Sequence, residues 1–514
     1  MATHYDVAII GGGVSGCAIA RELSRYRLRV ILLERQAEVG FGTTKTNSGI
    51  IHAGHHSSPE TLKGRLVVRG NALFDQLHEA LGFGFRRVGE IVVARTEDDL
   101  ATLKDLQRLG EEKGVPDLEM WKPKRLQREE PNLSRKLLGA LYAPTAGVIN
   151  PYEFAFALIE SAVDNGVELW VDSPVEAIET DPDGEVLHLD TPKGRVSTRF
   201  AINAAGIFAD HVAALVGLDD FAIHPRKGEE YMLDKRLKGL VRHLVFPTPT
   251  KVSKGVLIIP TYDGTLMVGP TADDTDDRYD VSTSEAGSKK IFDFIQKICP
   301  AIRSRDTITE FAGLRAVASG NDFIIGPTKV RGFINVAGIQ SPGLTAAPAV
   351  AEHVAKILRD EGLELKRKNS FRPHVRRVER FASLDTEGRQ AAIARDKRFA
   401  RVICRCELIT EAEIEDAIDH GARTLDGIKF RSRAGMGRCQ GGFCTSRCLN
   451  ILSRRLDQPI ETLTKRGGGS WLVTPLENAQ HPRHDTAAGA PQSASPPEAT
   501  TPEATTPQEG GASC

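Results

Sequence analysis

Tyr5-Asp-Val-Ala-Ile-Ile-Gly11-Gly-Gly13-Val-Ser15-Gly16 is the stretch whose reading decides the fold. Its apolar, β-branched start predicts a strand, the glycines a tight turn, and the residues from Val14 onward a helix. Gly11 permits the turn, Gly13 lets a pyrophosphate approach the backbone at the helix N-terminus, and Gly16 lets helix and strand pack closely. Glu34 closes the next predicted strand, where an acidic side chain accepts hydrogen bonds from a ribose. A glycine turn alone says little. Strand, turn, helix and acid in this order predict a dinucleotide-binding unit, with NAD and FAD both open at this point.

Outward from this unit, strand-like and helix-like segments alternate to about residue 360, which predicts an α/β region with a largely parallel sheet. Strand signals recur at 29–33, 90–94, 168–171, 200–203, 255–260 and 332–336. The 514 residues suffice for about two to four domains. A formal net charge of -1 gives no global field to recruit nucleic acid or an anionic membrane, and the local basic stretch from Lys366 to Arg380 reads as a solvated linker. No apolar run approaches the roughly 20 residues that span a bilayer. The strand beginning at Tyr5 leaves no room for a secretion signal, so a cytoplasmic protein is expected, membrane-associated only through a partner.

Polar residues 366–399 read as a linker, and a small helical domain follows. There Thr410 and Glu413 form a capping-box pattern before a helix at 411–420, which Gly421 stops. Residues 475–514 turn to Pro, Ala, Thr, Ser and Gly without periodicity, which predicts a disordered tail. Within the small domain lie Cys404-x-Cys406 and Cys439-x4-Cys444, with Cys448 one helical turn further on as a spare ligand. Thiolates this close together hold an iron-sulfur cluster or zinc. Gly435, Gly437, Gly441 and Gly442 surround the second pair, where a tight backbone turns N–H groups toward sulfur. Cys17 and Cys299 read as ordinary core thiols.

Three further segments make residues 1 to about 360 resemble the D-amino-acid-oxidase-like superfamily of FAD enzymes. Phe41-Gly-Thr43-Thr44-Lys-Thr-Asn47-Ser48-Gly49-Ile-Ile-His52-Ala-Gly54 is similar to the loop that wraps the flavin. Asn203-Ala-Ala205-Gly206 is similar to the strand end that passes the ribose and pyrophosphate. Gly338-Ile-Gln-Ser-Pro342-Gly343-Leu344-Thr345 is similar to the late turn whose helix points its N-terminus at the flavin pyrimidine, where a reduced flavin carries negative charge. The resemblance implies FAD held by Gly11, Gly13, Ser15, Gly16, Glu34 and Arg35, by these loops, and by Val175 through its backbone. It implies a Rossmann-like FAD-binding domain (about 1–85, 150–215 and 310–360) with an inserted α+β substrate domain (about 86–149 and 216–309). Arg315, in Phe311-Ala-Gly313-Leu-Arg315, would bind a substrate carboxylate or phosphate. His52 would serve as base or hydrogen-bond the flavin, with His55 and His56 on the same loop. Arg226, Lys227, Tyr231 and Lys254 would add charge from the second domain.

The flavin region is similar to L-2-hydroxyglutarate dehydrogenases and to flavin glycerol-3-phosphate dehydrogenases together. Residues 400–455 resemble bacterioferritin-associated-ferredoxin-like domains, in which Cys404, Cys406, Cys439 and Cys444 would hold a 2Fe-2S cluster, and that module follows the flavin domain in anaerobic-type glycerol-3-phosphate dehydrogenases. The implied activity is oxidation of sn-glycerol 3-phosphate to dihydroxyacetone phosphate by hydride transfer to flavin. A 2Fe-2S centre would then pass single electrons to a partner subunit or a quinone-linked protein. L-2-Hydroxyglutarate oxidation, or a redox-sensing protein without turnover, are the alternatives.

Overall fold

The computed structural model describes residues 3–249, 255–375 and 379–475. The opening stretch forms a strand at Thr3–Ile10, and a helix at Val14–Leu23 follows the turn. The strand lies at the centre of an eight-stranded sheet, pairing in parallel with Val30–Leu33 on one side and Gly194–Asn203 on the other. Its alternate residues enter two cores: Val7 and Ile9 face the helices, while Tyr5, Ala8 and Ile10 face the opposite layer. A strand buried on both faces reads as a continuous apolar run, as this one does. Phe333–Ala337 extends the parallel part beside Gly194–Asn203, and it leads into the helix Gly343–Asp360 that packs against the first helix.

A second, nine-stranded sheet belongs to the expected α+β substrate domain. Its pairings are antiparallel except between Leu244–Pro247 and Glu90–Ala94. Its longest ladder joins Ile223–Leu233 to Thr307–Ala318, so that Arg226 stands opposite Arg315 and Gly228 opposite Gly313. Strands that return antiparallel need only short turns, which explains why this half lacks the helical spacing of the first. The amphipathic helix Glu285–Ile298 covers one face, burying Ile291, Phe292, Ile295 and Ile298.

The segment read as a linker at 366–399 carries a helix of its own, Thr386–Arg395, started by the Asp385 carboxylate on the Gly388 N–H. After it come the helices Glu411–Asp419, Leu425–Ser432 and Thr445–Leu456. Glu413 accepts hydrogen bonds from the Thr410 N–H and hydroxyl at the predicted helix start, and Gly421 takes φ +97° just past its end. From residue 476 the expected disordered tail lies outside the described residues. Among the described residues no helix is long and apolar enough to cross a membrane.

Candidate active site

Residues of both sheets line one cavity of about 1290 Å³, more than a drug-sized ligand needs. Its nucleotide end is built by the glycine turn. Gly11 sits at φ +108°, and a Cβ there would lie 2.5 Å from the Ala204 carbonyl oxygen, so strand and turn meet only with glycine. Gly13 starts the helix without a side chain to cap it, which leaves helix-terminal N–H groups open to an anion; the Val14 N–H goes to Thr44 Oγ1 at 3.0 Å. Ser15 lines the same end. Glu34 accepts from the Gly12 and Gln36 N–H groups at 2.7 and 2.8 Å, and burial pushes its carboxyl above the usual range. Beside it Arg35 lies 3.9 Å over the Phe208 ring. Val175, Ala205 and Gly206 complete this end.

Three residues expected among the cofactor contacts stand behind the wall instead. Gly16 presses on the Gly11 carbonyl oxygen, which a Cβ would approach to 2.0 Å, and Gly338 packs on Ala318 and Asp322. Thr345 is fully buried and ties three elements together. Its hydroxyl accepts from the His52 N–H at 3.0 Å and donates to the Ile50 carbonyl.

The far end of the cavity joins the loop 42–52, the turn before Gly343 and the second sheet. Thr43, Thr44, Ser48 and His52 face in from the loop, and the Thr43 hydroxyl anchors it to the Leu314 carbonyl at 2.8 Å. Pro342, Gly343 and Leu344 bring the N-terminus of the Gly343–Asp360 helix to the cavity. His52 Nε2 lies 3.3 Å from Ser341 Oγ, and behind it the fully buried Glu90 gathers the histidines of this loop: His55 and His56 each place Nε2 3.1 Å from its Oε1, and His52 Nδ1 lies 4.0 Å from its Oε2.

On the second sheet, Arg315 extends across Gly228, where a Cβ would meet its Nη2 at 2.5 Å. Nη2 donates to the Thr271 carbonyl at 3.1 Å, Nη1 has no hydrogen-bond partner, and burial lowers the pKa of the guanidinium. Arg226 faces the cavity with its charge matched by Asp274 at 2.6 Å. Lys227 and Tyr231 turn away, to Asp280 and Glu229, and Lys254 lies outside the described residues. Sequence reasoning passed over Glu230, Ser341 and Glu90. The signal for Glu230 was strand parity: with Arg226 and Gly228 facing inward, residue 230 faces inward as well.

Uncapped N–H groups at one end, a ribose-ready acid beside them and a helix N-terminus at the other fit a flavin dinucleotide. The cysteines are equally well placed. Cys404 and Cys444 are buried and hydrogen-bonded to each other, Cys406 Sγ lies 3.6 Å from Cys439 Sγ, and Cys448 contacts Cys444. Backbone N–H groups of Gly435 and Glu407 point at Cys404, and those of Phe443, Gly441 and Gly442 point at Cys439. Thiols supplied with N–H donors in this way suit a charged cluster. Arg433, held by Glu407 Oε2 of its own module at 3.1 Å, docks the module on the flavin domain by reaching Asp263 Oδ2 at 2.5 Å and Tyr152 Oη at 2.9 Å.

Comparison with known proteins gives this architecture its relatives. Residues 6–357 match the FAD dependent oxidoreductase family, and residues 402–454 match the BFD-like [2Fe-2S] binding domain. Glycerol 3-phosphate dehydrogenase of Caloramator mitchellensis is 43% identical over 473 residues, 91% of this chain and 98% of that protein. Mitochondrial L-2-hydroxyglutarate dehydrogenase of Arabidopsis thaliana is 27% identical over 407 residues, 69% of this chain and 84% of its own. Among solved structures, dithionite-reduced L-α-glycerophosphate oxidase of Mycoplasma pneumoniae with FAD bound aligns with a TM-score of 0.69 and 28% identity, covering 73% of this chain and 98% of that one. This chain therefore belongs to the FAD dependent oxidoreductase family, with a [2Fe-2S] domain of the BFD-like type behind its flavin domain.

Proposed function

We propose that this enzyme oxidises sn-glycerol 3-phosphate to dihydroxyacetone phosphate, and that Arg315 holds the substrate's phosphate. The observation that carries the reading is the guanidinium itself: it lines the cavity, keeps its buried Nη1 unpaired, and has Nη2 fixed on Thr271. A planar fork in such a place suits a phosphate or carboxylate, and the high identity to a glycerol 3-phosphate dehydrogenase favours the phosphate. His52 takes the proton of the C2 hydroxyl, held by Ser341 on one nitrogen and backed by Glu90. FAD, when bound, supplies the acceptor for the hydrogen on C2, and the 2Fe-2S centre supplies the one-electron exit. Gly11, Gly13, Ser15, Glu34, Arg35, Thr43, Thr44, Ser48, Val175, Ala205, Gly206, Pro342, Gly343 and Leu344 hold the dinucleotide, and Cys404, Cys406, Cys439 and Cys444 hold the cluster.

Electrons leave to an acceptor protein at the exposed edge of the cysteine module. There Cys406 is exposed and Phe443 is 80% exposed, and near them in sequence lie the exposed Arg405, Arg447 and Arg438, the last 3.5 Å from Asp234, charges that an acidic partner complements. Anaerobic titration of the holoenzyme tests the activity. Glycerol 3-phosphate is expected to bleach the flavin absorbance; bleaching by L-2-hydroxyglutarate and not by glycerol 3-phosphate overturns the proposal.

A further inference from the structure

Glu229 and Glu230 are neighbours on one strand, both 2% exposed, and their hydrogen bonding differs completely. Glu229 faces the helix Glu285–Ile298 and is fully served: Tyr231 Oη at 3.1 Å, the Ser284 N–H at 2.9 Å and the Ser284 hydroxyl at 2.8 Å all donate to it. Its role is structural. Glu230 faces the active cavity. Ser48 donates to its Oε1, and Oε2 has no hydrogen-bond partner.

Glu230 shares this wall with Arg315. The two attract each other electrostatically, yet no ion pair joins them, and each leaves one atom unpaired: Oε2 on the acid, Nη1 on the base. Arg226, the other cation of the wall, is already matched by Asp274. Unserved polar atoms at this depth are costly unless a ligand completes them. A ligand that completes both must accept hydrogen bonds at one end and donate one at the other.

We infer that Glu230 and Arg315 form a two-ended substrate subsite in which Arg315 takes an oxyanion and Glu230 accepts a hydrogen bond from an uncharged hydroxyl group, rejecting substrates that carry a second anion there. This rests on the phosphate-binding role proposed for Arg315 and adds to it a reason for substrate choice. A hydroxyalkyl phosphate satisfies both ends. A dicarboxylic hydroxy acid brings a carboxylate against Glu230 and supplies no donor. Burial raises the Glu230 carboxyl to about 7, so above that pH it is a carboxylate whose charge repels a second anion and whose Oε2 accepts from a hydroxyl, and the titrations below are made at pH 8.5.

Two ketones that cannot be oxidised at C2 isolate the effect: dihydroxyacetone phosphate, which ends in a hydroxymethyl group, and 3-phosphohydroxypyruvate, which ends in a carboxylate. Calorimetric titration of the oxidised holoenzyme is expected to show the first bound about 30-fold more tightly, the range of one hydrogen bond to a charged group. In Glu230→Gln, which removes the charge and keeps the shape, the preference is expected to shrink to about threefold, and KM for glycerol 3-phosphate is expected to rise by a larger factor than kcat falls. Equal binding of the two ketones by the wild-type enzyme overturns the inference without any variant. So does an unchanged preference in Glu230→Gln, and so does a hundredfold loss of kcat at constant KM, which would make Glu230 the base. Failure of the Arg315 reading looks different: neither phosphate binds, and glycerol 3-phosphate leaves the flavin oxidised.

Discussion

Gly228→Ala moves Arg315 without touching it. The glycine lies mid-strand opposite Gly313, in a ladder that accepts alanine, so the backbone has no reason to change. The added methyl would sit 2.5 Å from Arg315 Nη2 and 3.0 Å from its Cζ and Nη1. Ordinary contact needs about 3.5 Å, so the guanidinium must retreat by about 1 Å. It then leaves the Thr271 carbonyl that fixes it and presents its free nitrogen out of place. A displacement of about 1 Å at a positioning group costs on the order of a hundredfold. We expect kcat/KM for glycerol 3-phosphate to fall by about that factor in steady-state assays with a dye acceptor, while flavin content by absorbance and the thermal midpoint stay at wild-type values. Arg315→Lys, whose shorter head lacks the fork, should cost less in the Gly228→Ala background than alone. A folded, flavin-replete Gly228→Ala enzyme with kcat/KM within threefold of wild type refutes the placement of Arg315.

Other consequences are as direct. Glu230 titrates near 7 in the folded protein against an ordinary value of 4.5, so the native state binds the extra proton and stability falls as pH rises through that window, by about 3 kcal/mol in all. Glu230→Gln should therefore raise the thermal midpoint by about 3 °C at pH 8.5 and leave it unchanged near pH 4.5, measured by scanning calorimetry. Arg433→Met removes the half-buried partner of Asp263 across the contact between modules and of Glu407 within its own, and should cost about 2–3 kcal/mol, seen as earlier proteolytic release of residues 400–475. Cys406→Ser removes the exposed thiol of the proposed cluster ligands while Cys404 and Cys444 stay buried; iron and acid-labile sulfide should be lost and the flavin spectrum kept.

The nucleotide half was legible because its chemistry is local. The turn Gly11–Gly16 and the acid Glu34 are fixed by sequence spacing, and the structure brings Gly11, Gly13 and Glu34 to one end of the cavity. The cysteine module was legible for the same reason, with Thr410 and Glu413 marking its first helix. The substrate end was not. Arg315, Glu230 and His52 reach one cavity only through a long antiparallel ladder and a buried loop, and strand parity points Glu230 inward only once Arg226 is known to face the cavity. Lys227 and Tyr231 were expected to add charge from the second domain, but the pleat turns both to the far side, and it is the unremarked Glu230 that faces the cavity. Glu90 was read as part of a strand, and nothing in its neighbours foretold the three histidines around it.

The clasp made by Arg433 decides what kind of electron carrier this enzyme is. Some redox proteins hang their relay on a tether that swings between donor and acceptor, and their turnover follows the drag of the solvent. Here the half-buried arginine ties Glu407 of its own module to Tyr152 and Asp263 of the dehydrogenase, so the relay is bolted in place. A relay fastened in this way keeps one distance from the cavity instead of swinging between two docks.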